Sequence, residues 1–130
     1  MKLFRLRAKS VLILLRDPLS NEAYSLGASD TMEVRIFRED DTIPVLIITQ
    51  SANSNGSVIH LGGEERDFYF YGSAVTFPER SWAELTIGDA DLNMETGLLK
   101  VSVIAVRSGM PHNLGMEYVQ LEPSCGSESS

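Results

Sequence analysis

The feature that most constrains this chain is a pair of alternating runs separated by a short polar connection. Trp82–Ile87 reads WAELTI, with Ala83, Leu85 and Ile87 on one parity and Trp82, Glu84 and Thr86 on the other. Gly97–Val106 reads GLLKVSVIAV and belongs to the longest apolar run in the protein. In it Val101, Val103 and Ala105 share one parity, and Leu98, Lys100, Ser102, Ile104 and Val106 share the other. Two-residue periodicity in β-branched residues is the pattern of strands, since successive side chains leave opposite faces. The chain is therefore expected to run strand, crossover, strand here, with the second strand central in a sheet.

The rest of the sequence follows the same rhythm. Thr31–Arg38 alternates Met32, Val34 and Ile36 against Glu33, Arg35 and Phe37. Residues 43–50 read as a buried strand that begins at Pro44, where a missing N–H does least harm. Asn55-Gly56 is a turn signal, residues 57–61 a short strand, and Gly62-Gly63-Glu64-Glu65 a further turn. Residues 67–71 and 74–77 read as short aromatic strands around Gly72. Ser108–Gly115, with Pro111 and His112, reads as a loop before a last strand at Met116–Leu121. Tyr24 and Leu26, in a stretch rich in loop residues, are expected to plug one end of the core. No segment holds a long helical period. Regularly spaced short strands with turn residues between them indicate an all-β fold, a two-sheet sandwich or small barrel. At 130 residues one domain is expected. A core of that size buries roughly two-thirds of the unfolded chain's surface without staples.

Charge is unevenly placed. The chain carries 18 acids and 11 bases, a net charge of −7. Lys2, Arg5, Arg7, Lys9 and Arg16 precede or flank the first acid, Asp17. Within residues 2–9, Arg5, Arg7 and Lys9 alternate with Phe4, Leu6 and Ala8, which suits a basic N-terminal arm or edge strand. A helix is the alternative, because Phe4, Ala8, Val11/Leu12 and Leu15 share a helical stripe. A basic end on an acidic body could orient the protein on a partner or simply flank a strand. The net negative charge argues against broad nucleic-acid binding. The apolar block Val11–Leu15 ends in Arg16-Asp17-Pro18, too short for a secretory segment or a membrane span. A soluble, non-exported protein is expected. Cys125 is the single cysteine, so no internal disulfide is possible, and it has no base at its side in sequence.

No motif of chemistry survives inspection. Asp89-Ala90-Asp91-Leu92-Asn93 has the opening spacing of a calcium loop, but Met94 and Lys100 stand where that loop needs Gly and a bidentate Glu. It reads better as a cap on one helical turn. Glu39-Asp40-Asp41 and Glu64-Glu65 offer no complete oxygen cage. His60 and His112 have no second ligand at helical or hairpin spacing. Nucleophile elbow, phosphate loop and dinucleotide glycine patterns are missing. Asn55-Gly56-Ser57 is formally a glycosylation acceptor and more simply a turn. No enzyme activity, cofactor or functional metal is expected. The aromatic segment around Phe68–Tyr71 must place Phe68 and Phe70 opposite Tyr69 and Tyr71. Tyr69, Tyr71 and Trp82 are then candidates for an exposed aromatic face that binds a sugar or a protein.

Taken whole, residues 10–122 resemble the small immunoglobulin-like β-sandwich domains of tailed-phage virion proteins, such as the N-terminal domain of baseplate upper proteins and the modules of tail and capsid fibres. The resemblance lies in VLILLRDPLSNEAYSLGASDTMEVRIF, in AELTIGDADLNMETGLLKVSVIAV and in the closing EYVQLEP. It is a rhythm of turns, and residues 64–82 fit it less well. It implies an immunoglobulin-like two-sheet sandwich with extended termini: residues 1–9 an arm or edge strand, 10–122 the domain, 123–130 a flexible tail. It further implies a non-enzymatic virion component of tail, baseplate or capsid surface, assembled in the host cytoplasm. Its partners would be other virion proteins and copies of itself, with Arg5, Arg7 and Lys9 as an assembly contact and neither nucleic acid nor membrane bound. The alternative is a carbohydrate- or receptor-binding sandwich whose partner is a glycan or host receptor.

Overall fold

The computed structural model describes residues 2–123 and is all-β, with a single 3-10 turn and no α-helix among those residues. The expected tail beyond residue 123, with Cys125, lies outside the described residues. Ten strands form three sheets. The larger sheet takes β1 (Lys2–Phe4), β3 (Thr31–Arg38), β4 (Leu46–Ile48), β9 (Gly97–Arg107) and β10 (Met110–Glu122) in the order β1-β10-β9-β3-β4. The smaller takes β2 (Lys9–Leu14), β5 (Val58–Leu61) and β8 (Trp82–Ile87) in the order β2-β8-β5. A separate ribbon pairs β6 (Arg66–Phe70) with β7 (Ser73–Phe77). The arrangement is consistent with a β-sandwich, because Met32, Val34, Ile36, Leu99 and Val101 of the larger sheet share one buried cluster with Ile59, Ala83, Leu85 and Ile87 of the smaller.

The alternating runs fold as their parity dictates. Met32, Val34 and Ile36 are buried, and the residues between them are half-buried on the outer face. β9 lies in the middle of its sheet, paired with β10 on one side and β3 on the other. Its inward parity extends to Leu99, which is fully buried. The connection from β8 to β9 crosses between the two sheets through the 3-10 turn Asp89–Leu92, whose Leu92 is buried. Leu26 is buried and Tyr24 packs against the same cluster, so the loop before β3 does close one end of the core.

Four expectations need correction. Residues 2–9 are not one alternating arm or edge strand. Leu3 is the buried residue, β1 pairs parallel with Gln120–Glu122 of β10, and the chain turns at Leu6, whose φ is 61°. That turn breaks the period, so Arg5 and Arg7 lie in it while Lys9 opens β2. Second, the expected buried strand at 43–50 shrinks to Leu46–Ile48 at a sheet edge, with Ile43, Val45 and Ile47 exposed. Its outer face has no layer above it, so apolar content there does not mean burial. Third, the expected loop Ser108–Gly115 is mostly strand. Ser108 and Gly109 have φ of 50° and 76° and join Arg107 to Met110 as a two-residue turn, the geometry that matches the twist of paired strands. Pro111 is tolerated because β10 lacks a strand partner there on its other side. Fourth, the turn at Asn55-Gly56 forms, with Gly56 at a φ of 85°, but it is not a hairpin turn; its loop leads from β4 in one sheet to β5 in the other.

Leu99 sits at the centre of this packing, fully buried beside Arg38 and Val119 across its two ladders. Leu99→Ala is expected to lower the unfolding free energy by about 2–5 kcal/mol, the cost of lost apolar burial plus a cavity. Chemical denaturation of the variant measures it, and a midpoint equal to that of the wild type would remove β9 from the core.

Candidate functional site

Two features stand out from this frame: an aromatic hairpin laid on the smaller sheet, and an opening between the two sheets. The hairpin begins where Trp82 faces outward from β8, paired with Leu14 of β2. Gly62 makes room for it, since any Cβ at that position would overlap the indole. The indole Nε1 donates to the Glu64 carbonyl at 2.8 Å. Phe68 meets the edges of Phe77 at 5.5 Å and Trp82 at 5.9 Å. The Arg66 guanidinium lies 5.0 Å from the Phe68 ring and 5.1 Å from Trp82. That of Arg16 lies 5.0 Å from Phe77. These contacts bind the ribbon to the outer face of the smaller sheet, so residues 64–82 form a partial third layer.

Trp82 is therefore buried, and its candidacy for an exposed binding face fails: only 8% of it is accessible because the hairpin covers it. Tyr69 and Tyr71 are exposed, at 72% and 107%. Tyr69 has the opposite parity to Phe68 in β6. Tyr71 and Gly72, with φ of 51° and 83°, form the two-residue tip. Nothing among the described residues fixes either tyrosine ring by a ring contact or side-chain hydrogen bond.

The opening lies where β2 and β10 diverge. β2 is the edge of the smaller sheet, and β10 carries β1 only at Gln120–Glu122. Two strand edges thus flank one gap: on the gap side, neither Lys9–Leu14 nor Met110–Met116 pairs with a strand among the described residues. Val11 and Ile13 line it from β2, and Leu114, Met116 and the acidic Glu117 from β10, with Val103 behind them. Its volume is about 500 Å³. The β10 wall is irregular there, with a bulge between Asn113 and Gly115 that bends the strand. Lys9 shares the parity of Val11 and Ile13 and is half-buried; Arg7, in the preceding turn, is exposed. Arg5 does not join them. Its guanidinium donates to Asn93 Oδ1 at 2.8 Å and to the Met94 carbonyl at 3.2 Å, which ties the N-terminal turn to the residues after the 3-10 turn. Of the three proposed contact cations, Arg5 is committed internally, Arg7 is exposed in the N-terminal turn, and Lys9 opens β2 two residues before Val11. Sequence could not reveal the opening, because its walls are ordinary strands and only their divergence creates it.

The Asp89–Asn93 stretch turns out to be an internal anchor. Asp91 accepts hydrogen bonds from Asn53 Nδ2 at 2.7 Å, from Asn55 Nδ2 at 2.8 Å and from Ser57 Oγ. The Gly88 N–H donates to the same Ser57 hydroxyl at 2.8 Å, and a Cβ on Gly88 would overlap the Asn55 carbonyl. Among the described residues no three of His, Cys, Asp and Glu stand together as a metal site would require. His60 lies in β5 opposite Glu84, and His112 in β10 opposite Ala105. Comparison with protein-family models, with curated proteins and with solved structures finds no match.

Partial burial pushes the Asp91 carboxyl upward, and the three hydrogen bonds outweigh it, so the group titrates below the ordinary aspartate range. A depressed folded-state value means that its contribution to stability is complete above the unfolded pKa, about 3.9, and is lost as pH falls through the folded one. The melting temperature is therefore expected to fall on acidification through that window, and to fall less steeply in Asp91→Asn. Thermal scans of both proteins across the window check it; parallel curves would show that Asp91 is not the anchor.

Proposed function

We propose that this chain is a non-enzymatic structural component of a bacteriophage virion, an immunoglobulin-like sandwich acting through protein–protein contacts in a tail, baseplate or capsid surface. One observation supports the assembly part of this reading: an apolar opening between two strand edges that no strand of the described chain completes. Edges of this kind are liabilities that folded proteins ordinarily cover, shorten or charge. Where they are kept, they suit addition of a partner's segment, with main-chain bonds for affinity and side-chain pockets for specificity. The virion setting rests on the resemblance of residues 10–122 to the sandwich domains of phage structural proteins.

A second reading draws on the hairpin. Tyr69 and Tyr71 at its exposed tip offer flat, amphipathic surface to a glycan or host receptor. In a virion the two readings are compatible, with one face for assembly and the hairpin for attachment.

The gene is expected among capsid and tail genes, and the protein in purified particles by mass spectrometry. A metabolic gene neighbourhood together with absence from particles would contradict the proposal. Glycan-array binding lost in Tyr69→Ala would put attachment first.

A further inference from the structure

Residues 53–57, Asn-Ser-Asn-Gly-Ser, hold a reactive pair that the fold also uses as structure. Of the five asparagines in the chain, Asn55 alone precedes a glycine. The backbone nitrogen of the following residue can attack an asparagine side-chain amide, and glycine, having no Cβ, hinders that attack least. Asn55 and Gly56 are exposed, in the loop that leads from β4 to β5. The fold holds both reacting groups away from each other. Asn55 Nδ2 donates to Asp91 Oδ1 at 2.8 Å, and the Gly56 N–H donates to the Asn53 carbonyl at 3.1 Å. Reaction therefore waits for the loop to open. Residues 51–56 are exposed throughout and carry no apolar side chain larger than Ala52, so little burial opposes local opening.

We propose that Asn55 is a site of spontaneous deamidation, and that the conversion detaches this loop from Asp91 and keeps it detached. In the open loop the Gly56 nitrogen, its proton taken by hydroxide, bonds to Asn55 Cγ. The side-chain nitrogen leaves as ammonia with a proton from water. Water then adds to one of the two carbonyls of the cyclic imide and breaks its bond to nitrogen, giving aspartate or isoaspartate. One water is consumed and one ammonia released, with no change of oxidation state. Neither product restores the contact. An aspartate carboxylate has no hydrogen to donate where Asn55 gave one. It would face Asp91, which also accepts from Asn53 Nδ2 and Ser57 Oγ. Two carboxylates at hydrogen-bond distance do not both stay ionised. Asp89, the other acid of the 3-10 turn, accepts from the Ala90 N–H. Isoaspartate lengthens the main chain by a carbon, where the Asn55 carbonyl already occupies the place of a Gly88 Cβ. A loop that opens and reacts thus loses the bond that had kept it closed.

Peptide mapping by mass spectrometry, on full-length protein held in mildly alkaline buffer, tests the site. Aspartate and isoaspartate are expected at Asn55 ahead of Asn21, Asn53, Asn93 and Asn113. The urea-unfolded chain should react roughly tenfold faster than the folded one, since opening precedes reaction. Modification first at another asparagine, equal rates in the two states, or a folded protein in which Asn55 stays intact while the unfolded chain reacts would each overturn the proposal. Asn55→Asp supplies one product directly, and Asn55→Ala removes the donor without adding charge. Asn55→Asp is expected to melt below Asn55→Ala at neutral pH. Like charge raises the carboxyl pKa in the folded state, so this penalty grows as pH rises through the carboxylate range and vanishes below it, where a protonated carboxyl donates to Asp91 again. The order of the two variants should therefore close or reverse in acid. An Asn55→Asp that melts with or above Asn55→Ala at neutral pH would show that the product does not repel Asp91.

Discussion

The two sheets of this protein are joined along one side and part along the other, and most of what the molecule can do depends on that asymmetry. On the closed side the Ile59 N–H of β5 donates to the carbonyl of Thr49, just past β4, at 2.9 Å, so the smaller sheet is stitched to the larger across the edge. At one end of the core the Leu15 and Tyr24 N–H groups donate to Ser81 and Leu15. At the β1 end the Arg5 and Leu6 N–H groups donate to Glu122 and Leu92. Between those ends, along β2 and the bulged part of β10, no strand-to-strand ladder closes the gap. A buried backbone group must find a partner, so an edge left without one has to stay wet or await another chain. Leu3, Leu99, Val119 and Leu121 are fully shielded within the chain itself, while Val11, Ile13, Val103 and Leu114 beside the gap are only partly buried.

Two close backbone approaches keep the rest rigid enough for the opening to hold its shape. At Gly62 the chain passes directly beneath the Trp82 indole, which allows the aromatic hairpin to seal the outer face of the smaller sheet. At Gly88 it passes against the Asn55 carbonyl, where Ser57 and Asp91 share hydrogen bonds that fix the loop between the sheets. Either glycine replaced by alanine would force backbone to move, because the neighbour at Gly88 is main chain and the ring at Gly62 is itself packed. The buried polar groups here are paired, and among the described residues no buried side-chain nitrogen or oxygen is left without a partner. These are therefore structural devices, and the carboxylate that most resembled a metal ligand in sequence, Asp91, is spent on three internal donors.

Alternation carried the sequence reading furthest where both layers of the sandwich cover a strand. β3 and β8 face the way their parity indicates, because one wrong step would turn a whole apolar set to solvent; β9 is shielded on both parities, with Ser102 and Ile104 buried as well as Leu99, Val101 and Ala105. It failed where a second layer is absent or present without a sequence signal. β4 has apolar residues on both parities, yet its outer face is bare. Trp82 has the polar-side parity of its strand, yet the hairpin from residues 66–77 covers it, a tertiary event that no local pattern encodes. At the N-terminus, alternation of Arg with apolar residues was real in the letters and void in space, because the chain reverses at Leu6 before the period can act. The Ser108-Gly109 turn was legible in principle, as a small polar residue followed by glycine between two strand-like runs. Pro111 and His112 obscured it, because proline reads as a strand breaker unless the strand is known to lie at an edge. The opening was not legible, because it is a property of sheet divergence.

In the proposed assembly the gap between β2 and β10 is the surface that a neighbour covers. Amide hydrogen exchange read by mass spectrometry, compared between dilute and concentrated full-length protein, measures this directly. Peptides spanning Val11–Leu14 and Leu114–Met116 are expected to exchange more slowly in the concentrated sample, while Tyr69–Tyr71 exchanges at one rate in both. Protection that appears at the hairpin tip instead, with the β2 and β10 peptides unchanged, would contradict it.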